Sequence, residues 1–398
     1  VLPRYQIKNH QLLVRILLTI NLFLFSVIGV NLSDYQTKNK ERISIESSLI
    51  EKKENLSYLS AATVFPESSV PNHGFLEGKQ EDERGEVASA AATLEMYLGF
   101  ALEPISTERI KGVEKQISRK FNLLMGYIQW GNPDNSRLSE SYLGIYAANN
   151  KIPIISWEPW DPRNGIEQKE YRLANIAQGK FDSYIREFAQ ELRNFAKPVF
   201  LRFAHEMNGN WYPWGGTVNG NSALNYQEAW RHVHDIFQQE KATNVNWIWS
   251  PDANSYPEFK GNEIADYYPG DNYVDWIGID GYNWGPTKQG KIWESFDSIF
   301  SKGYALVLQY NKPIMLAEFA SSEEGGDKAS WIEETFFKTI PSKYPKIKAV
   351  VWFNINRETS WDIASSLSSV EKFKEIANSG IFAEKVTFLG SKISSPSL

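Results

Sequence analysis

Eight short runs of β-branched, aliphatic and aromatic residues, at 96–101, 122–129, 152–157, 199–204, 245–249, 274–280, 313–317 and 349–354, alternate with amphipathic stretches. The clearest of those stretches is 181–195, where Phe181, Tyr184, Ile185, Phe188, Leu192 and Phe195 recur at the three- and four-residue spacing of one helix face. Similar stripes run through 226–237, 292–308 and 331–340. Consecutive parallel strands need a crossover, usually a helix, and eight strand–helix units close into an α/β fold of one kind, the (β/α)8 TIM barrel. A doubly wound sheet would carry a glycine-rich phosphate loop after its first strand; the residues that follow 96–101 contain none.

Strand alternation then predicts which side chains face the barrel axis. In strand eight, Val351, Phe353 and Ile355 are assigned to the helices and Trp352, Asn354 and Asn356 to the interior. In strand six, Trp276, Asp280 and Tyr282 fall on the interior face, opposite Ile277 and Ile279. Arg202 and Glu206 share a face of strand four, and Ile314, Leu316 and Glu318 share one of strand seven. Polar residues gather at the last positions of the strands, at Glu158, Glu206, Asp252, Asp280, Glu318 and Asn354. In a barrel the carboxyl ends of the strands form the active face, so this one-ended clustering points to catalysis.

Two of these acids stand out. Glu206 ends the apolar run of strand four inside an aromatic loop, PVFLRFAHEMNGNWYPWGG at 198–216, and Glu318 ends KPIMLAEFA at 312–320. Two carboxyl groups facing each other across a sugar can hydrolyse a glycosidic bond, one giving a proton to the leaving oxygen and the other attacking or stabilising the anomeric carbon. The acid must keep a proton that its partner has lost, so Glu206 is expected to hold its proton to higher pH. Barrel ion pairing is the bland alternative for both. Strict alternation turns His205 outward unless the strand ends or bulges there.

The run Arg202, His205, Glu206, Met207, Asn208, Gly209 and Trp211, with Trp214 and Gly215, resembles the signature of glycoside hydrolase family 26. The resemblance extends to VDWIGIDGYNW at 274–284, to PIMLAEFA at 313–320 and to the strand around Trp352. It implies a retaining endo-β-glycanase, above all a β-mannanase, with Glu206 as acid/base and Glu318 as nucleophile. It also implies that Arg202, His205 and Tyr282 hydrogen-bond near the nucleophile and that Trp211 and Trp352 stack on sugars. From position alone, Asn208 and Trp284 are candidate substrate contacts, and Glu158 is either a substrate contact or a loop anchor. The family's mannanases tend to carry a His near the end of strand three, where this chain reads Trp157, Glu158, Pro159. That departure keeps open a mixed-linkage β-1,3/1,4-glucan or a xylan as substrate. A tethered glycan binder without catalysis is the reading from another class; it would be free to lose either Glu, and both are present.

Composition narrows the partners. The chain holds 14 Trp and 19 Tyr, whose apolar faces and polar edges suit sugar rings as well as cores. A net charge of −6 with no long basic run gives no reason to expect nucleic acid. There are no cysteines, so disulfides and thiolate chemistry are excluded. The five His are scattered, with His232 and His234 on different faces of a predicted helix; no metal and no cofactor are expected, and no oligomer is indicated.

Ahead of the barrel, Arg4, Lys8, His10 and Arg15 precede the apolar run 16–30. A basic flank and an apolar segment form an export signal or an uncleaved signal anchor, over 1–32, with the rest of the chain outside the cytoplasm. Residues 33–85 are rich in Lys, Glu, Ser and Asn and read as a polar stalk. The barrel is assigned to 86–385 and a tail to 386–398.

Overall fold

The computed structural model describes residues 95–389, 392–394 and 396. The signal or anchor at 1–32 and the stalk at 33–85 lie outside the described residues. Among the described residues no helix is long and apolar enough to cross a membrane.

Eight parallel strands form a closed barrel in sequence order: β1 (Tyr97–Ala101), β2 (Leu123–Gln129), β3 (Ile152–Glu158), β4 (Val199–Phe203), β5 (Val245–Trp249), β6 (Trp276–Asn283), β7 (Ile314–Ser321) and β8 (Ile347–Phe353), with β8 closing on β1. Outer helices begin where a short polar side chain can accept an otherwise unpaired backbone N–H. Ser106, Ser139, Ser222, Ser295, Asp327 and Ser366 do this for the helices Thr107–Ile117, Glu140–Ala148, Ala223–Gln239, Phe296–Val307, Lys328–Glu334 and Leu367–Ala377. The predicted stripe at 181–195 is the helix Asp182–Phe195.

The β5–β6 connection departs from the repeat. Pro251, Pro257, Pro269 and Gly270 interrupt it, and it forms only the short 3-10 turns Ile264–Tyr267 and Asp271–Tyr273. Aromatics occupy the place of the missing helix: Tyr268 stacks on Tyr310 at 3.7 Å between centroids, and Trp249 meets Tyr268 edge-on at 5.1 Å.

Below the barrel, β9 (Phe388–Leu389) and β10 (Lys392–Ile393) pair antiparallel. Trp276 Nε1 donates to the Ile393 carbonyl at 3.2 Å, the Ile393 N–H to Asn246 Oδ1 at 2.8 Å, and Tyr97 Oη to the Ser394 carbonyl at 2.9 Å. Residues of the tail thus seal the amino end of the strands, opposite the active face.

Most of the aromatic surplus is core. Ten of the 14 Trp are buried; of the other four, Trp160, Trp211 and Trp284 line the cleft at the carboxyl ends of the strands.

Candidate active site

β4 stops at Phe203, and the chain turns through two non-glycine residues with positive φ, Ala204 at 46° and Glu206 at 52°. Such conformations cost about 1–3 kcal/mol each and persist only when their surroundings hold them. Here the Glu206 N–H donates to the Ser250 carbonyl at 2.7 Å, the Gly209 N–H to the Glu206 carbonyl at 2.9 Å, and Trp214 Nε1 to the His205 carbonyl at 2.6 Å. Trp211 folds back so that its Nε1 donates to Glu206 Oε2 at 2.6 Å. A β-carbon on Gly209 would stand 2.5 Å from the Trp211 ring, so the close fold-back needs glycine.

Glu318 reaches the cleft by a different device. β7 slips by one residue against its neighbours, so Leu316 pairs with Ile279 while Glu318, two positions on, pairs with Asp280. Residues paired across a parallel ladder share a face, so the bulge places Leu316 with the outward set and Glu318 with the inward one. That corrects the single face predicted for Ile314, Leu316 and Glu318. Arg202, fully buried, donates to Glu318 Oε1 at 2.5 Å and to Ser156 Oγ at 2.9 Å, and it pairs with Asp280. Tyr127 Oη donates to Glu318 Oε1 at 2.9 Å, and Tyr282 Oη donates to Oε2. Three donors, one of them a guanidinium, make a pocket complementary to a carboxylate.

Electrostatics separate the groups. Burial, reinforced by the charges of Asp280, Asp252 and Glu318 and opposed by Arg202, holds the Glu206 carboxyl well above its ordinary range. Burial works against the Arg202 charge, yet the charges of Asp280 and Glu318 outweigh it and keep the guanidinium ionised. Burial raises Tyr127 and Tyr282 as well, so both remain hydroxyl donors. Burial pushes Glu158 up to about 7 despite hydrogen bonds from Trp160 and Gln129, and Asp252 up to about 7 despite one from the Asn254 backbone.

The Glu158 shift has a measurable consequence. Its folded value, about 7, lies above the ordinary 4.5, so between those pH values the folded chain keeps a proton that the unfolded chain loses. Stability therefore falls as pH rises through that window. Glu158→Gln can keep both hydrogen bonds and removes the titration. The variant is expected to gain on the parent by up to about 3 kcal/mol between pH 5 and pH 8. Melting temperatures of the two proteins at both pH values check this; a difference that does not change with pH contradicts it.

Glu158, Glu206, Glu318, Trp211, Tyr282 and Trp284 all line one cleft of about 1290 Å³, larger than the roughly 300–1,000 Å³ of small-molecule pockets. Arg202 lies beneath its floor. Three predicted contacts are corrected. Asn208 is fully buried and spends its side chain on the β5 loop, donating to the Asp252 carbonyl and accepting from the Asp252 N–H, both at 2.9 Å. His205 is turned inward because the strand has ended, but it lies under the cleft against Tyr212 and Trp214, with Nε2 4.0 Å from Glu158 rather than beside Glu318. Burial, with the Arg202 charge, keeps that imidazole neutral. Trp352 faces the outer helices, packed on Phe373 and Trp331, so it cannot stack on a sugar. Phe353, assigned to the helices, is the β8 residue that lines the cleft.

Sequence reasoning missed Tyr127, Gln129, Trp361 and Arg357. Tyr127 and Gln129 carried a usable signal, since they share the alternating face of β2 with Met125, which lies beside Arg202. Trp361 and Arg357 sit in the loop after β8, where no periodicity marks them; Trp361, itself fully buried, borders the cleft and backs Trp284 edge-on at 4.9 Å.

The family model described as glycosyl hydrolase family 26 matches residues 161–376. Endoglucanase H of Acetivibrio thermocellus is 40% identical over 278 residues, 69% of this chain and 29% of that protein. A mannan endo-1,4-beta-mannosidase of Bacillus subtilis is 32% identical over 221 residues, 50% of this chain and 55% of that protein. The chain thus spans less than two thirds of the length of these curated relatives. The solved GH26 beta-mannanase from Bacteroides ovatus has the same fold, with a TM-score of 0.56 at 18% identity over 74% of this chain and 91% of that one.

Proposed function

Because the chain belongs to glycosyl hydrolase family 26, we propose that it is a retaining endo-acting β-glycanase that hydrolyses a β-1,4-linked polysaccharide, mannan in the first instance. The observation that carries this reading is the pairing in one cleft of Glu206, kept protonated by burial, with Glu318, cradled by Arg202, Tyr127 and Tyr282. In the first step a Glu318 oxygen bonds to the anomeric carbon, the glycosidic C–O bond breaks, and Glu206 gives its proton to the leaving oxygen. In the second, Glu206 takes a proton from water, the water oxygen bonds to the anomeric carbon, and Glu318 leaves as a carboxylate. Arg202 and the two tyrosines position Glu318 and receive its charge again. The size of the cleft supports occupancy by several sugars, hence cleavage within a chain. Its lining holds no surplus of cations to draw an acidic glycan, Lys288, Lys291 and Arg357 standing against Glu103, Glu294, Glu318 and Glu358, which favours a neutral one.

A second reading, a mixed-linkage β-1,3/1,4-glucan, is favoured by the end of β3. There Glu158, held by Gln129 at 2.9 Å and Trp160 at 3.0 Å, stands where mannanases tend to carry a His. The higher identity to a relative named endoglucanase supports it too. Mannose and glucose differ in the orientation of one hydroxyl, so a few hydrogen bonds decide between them. Release of reducing ends from galactomannan, glucomannan, barley β-glucan and xylan, side by side, is the test. Cleavage of the two mannans alone carries the first reading, cleavage of barley glucan alone the second, and cleavage of none the tethered binder.

We assign the protein outside the cytoplasm, released or tethered, from the basic flank and apolar run ahead of residue 31. Digestion by protease added to intact cells is expected; full protection contradicts it.

A further inference from the structure

Beside the catalytic cleft lies a shallower groove of about 490 Å³, lined by Asn210, Thr217, Pro257 and Phe259 among others. Asn210 and Pro257 also line the cleft, so the groove continues it across the loops that follow β4 and β5. Phe259 is 51% exposed in this groove. An exposed aromatic face costs free energy in water unless something covers it. Asn210, which lines both the cleft and the groove, is exposed, and its side-chain amide has no hydrogen-bond partner among the described residues. An aromatic platform with a free amide close by is the chemistry that takes a pyranose ring, apolar on one face and hydroxylated at its rim.

We propose that this groove is a distal subsite for the same polysaccharide chain, on the Glu206 side of the cleft, with Phe259 as its stacking platform and Asn210 guiding the chain across the junction. This rests on the proposed glycanase activity. A subsite away from the reacting bond binds ground state and transition state alike, so it lowers KM without raising kcat, and only for chains long enough to reach it. Phe259 is exposed and supports no core, so Phe259→Ala is expected to keep the parent melting temperature.

The experiment compares the parent and Phe259→Ala on the polysaccharide that the parent cleaves and on tetra- to octasaccharides of the same backbone. On polysaccharide the variant's KM is expected to rise roughly three- to tenfold, the range of one aromatic contact, with kcat unchanged, and on tetrasaccharide neither constant should move. Equal KM values on polysaccharide overturn the proposal, as does a rise of the same size on every length, which would place Phe259 at the cleft itself. Binding is read separately, as retardation of Glu318→Ala and of Glu318→Ala with Phe259→Ala in native gels containing galactomannan or barley glucan. Retardation weakened by loss of Phe259 supports the subsite even if the parent releases no reducing ends, an outcome that sinks the activity instead. Retardation that ignores Phe259 overturns the subsite while leaving the activity standing.

Discussion

Glu318→Ala is expected to lower polysaccharide turnover by on the order of 10⁴-fold or more while sugar binding persists. The variant loses the atom that bonds to the anomeric carbon but leaves the walls formed by Trp211, Tyr282 and Trp284 in place. Its structural cost falls on the buried network. Arg202 keeps Asp280 and Ser156 but loses one carboxylate, and the Tyr127 and Tyr282 hydroxyls lose their acceptor. Breaking one partner of a buried ion pair costs up to about 3–5 kcal/mol, and the remaining pair with Asp280 keeps the loss at the low end. Melting separates this from inactivation by unfolding. Azide, a small anion that fits the vacated space beside Arg202, is expected to restore turnover of an activated aryl glycoside and to give the glycosyl azide of inverted configuration. Reducing-end release at the parent rate would end the nucleophile assignment.

Glu206→Gln is expected to cut the rate on polysaccharide by roughly 10²–10⁴-fold, the usual worth of a general acid. The loss should depend on the leaving group. A dinitrophenolate departs without a proton, so bond cleavage in that substrate should stay near the parent rate, whereas a sugar alkoxide cannot leave unprotonated. The pH profile carries the same information. A carboxyl raised by burial acts as an acid until pH climbs through its folded value, so parent activity falls on the alkaline side. In the variant that fall should vanish. Full activity on polysaccharide, or an alkaline fall that survives the substitution, contradicts the assignment.

The barrel was legible because eight apolar runs at regular intervals leave a chain few alternatives, and six of the eight strands coincide within two residues of the sequence reading, β6 running on to Asn283 and β7 to Ser321. The two glutamates were legible because each ends a run and is embedded in a distinctive motif. The orientation of β8 was not. Alternation fixes a period of two but not its phase, and the interior of a barrel is itself a packed apolar core, so Phe353 faces the cleft and Trp352 the helices. The bulge in β7 was invisible for a related reason: it adds one residue without changing composition, and Glu318 points inward because of it. Asn208 shows the limit of a motif. Its neighbours make a substrate contact plausible by position, yet its two hydrogen bonds to the Asp252 backbone are what hold the β4 and β5 loops together.

The most direct test of the account is covalent trapping. A 2-deoxy-2-fluoro β-glycoside of the sugar that the protein cleaves, carrying a dinitrophenyl leaving group, lets the first step run and slows the second, so the glycosyl-enzyme accumulates. Peptide mass spectrometry of the inactivated protein should find one sugar on Glu318 and none on the Glu318→Ala variant. A sugar on Glu206 or Glu158, or turnover of this compound with no adduct and a product of inverted configuration, would contradict the pairing of Glu206 as acid with Glu318 as nucleophile.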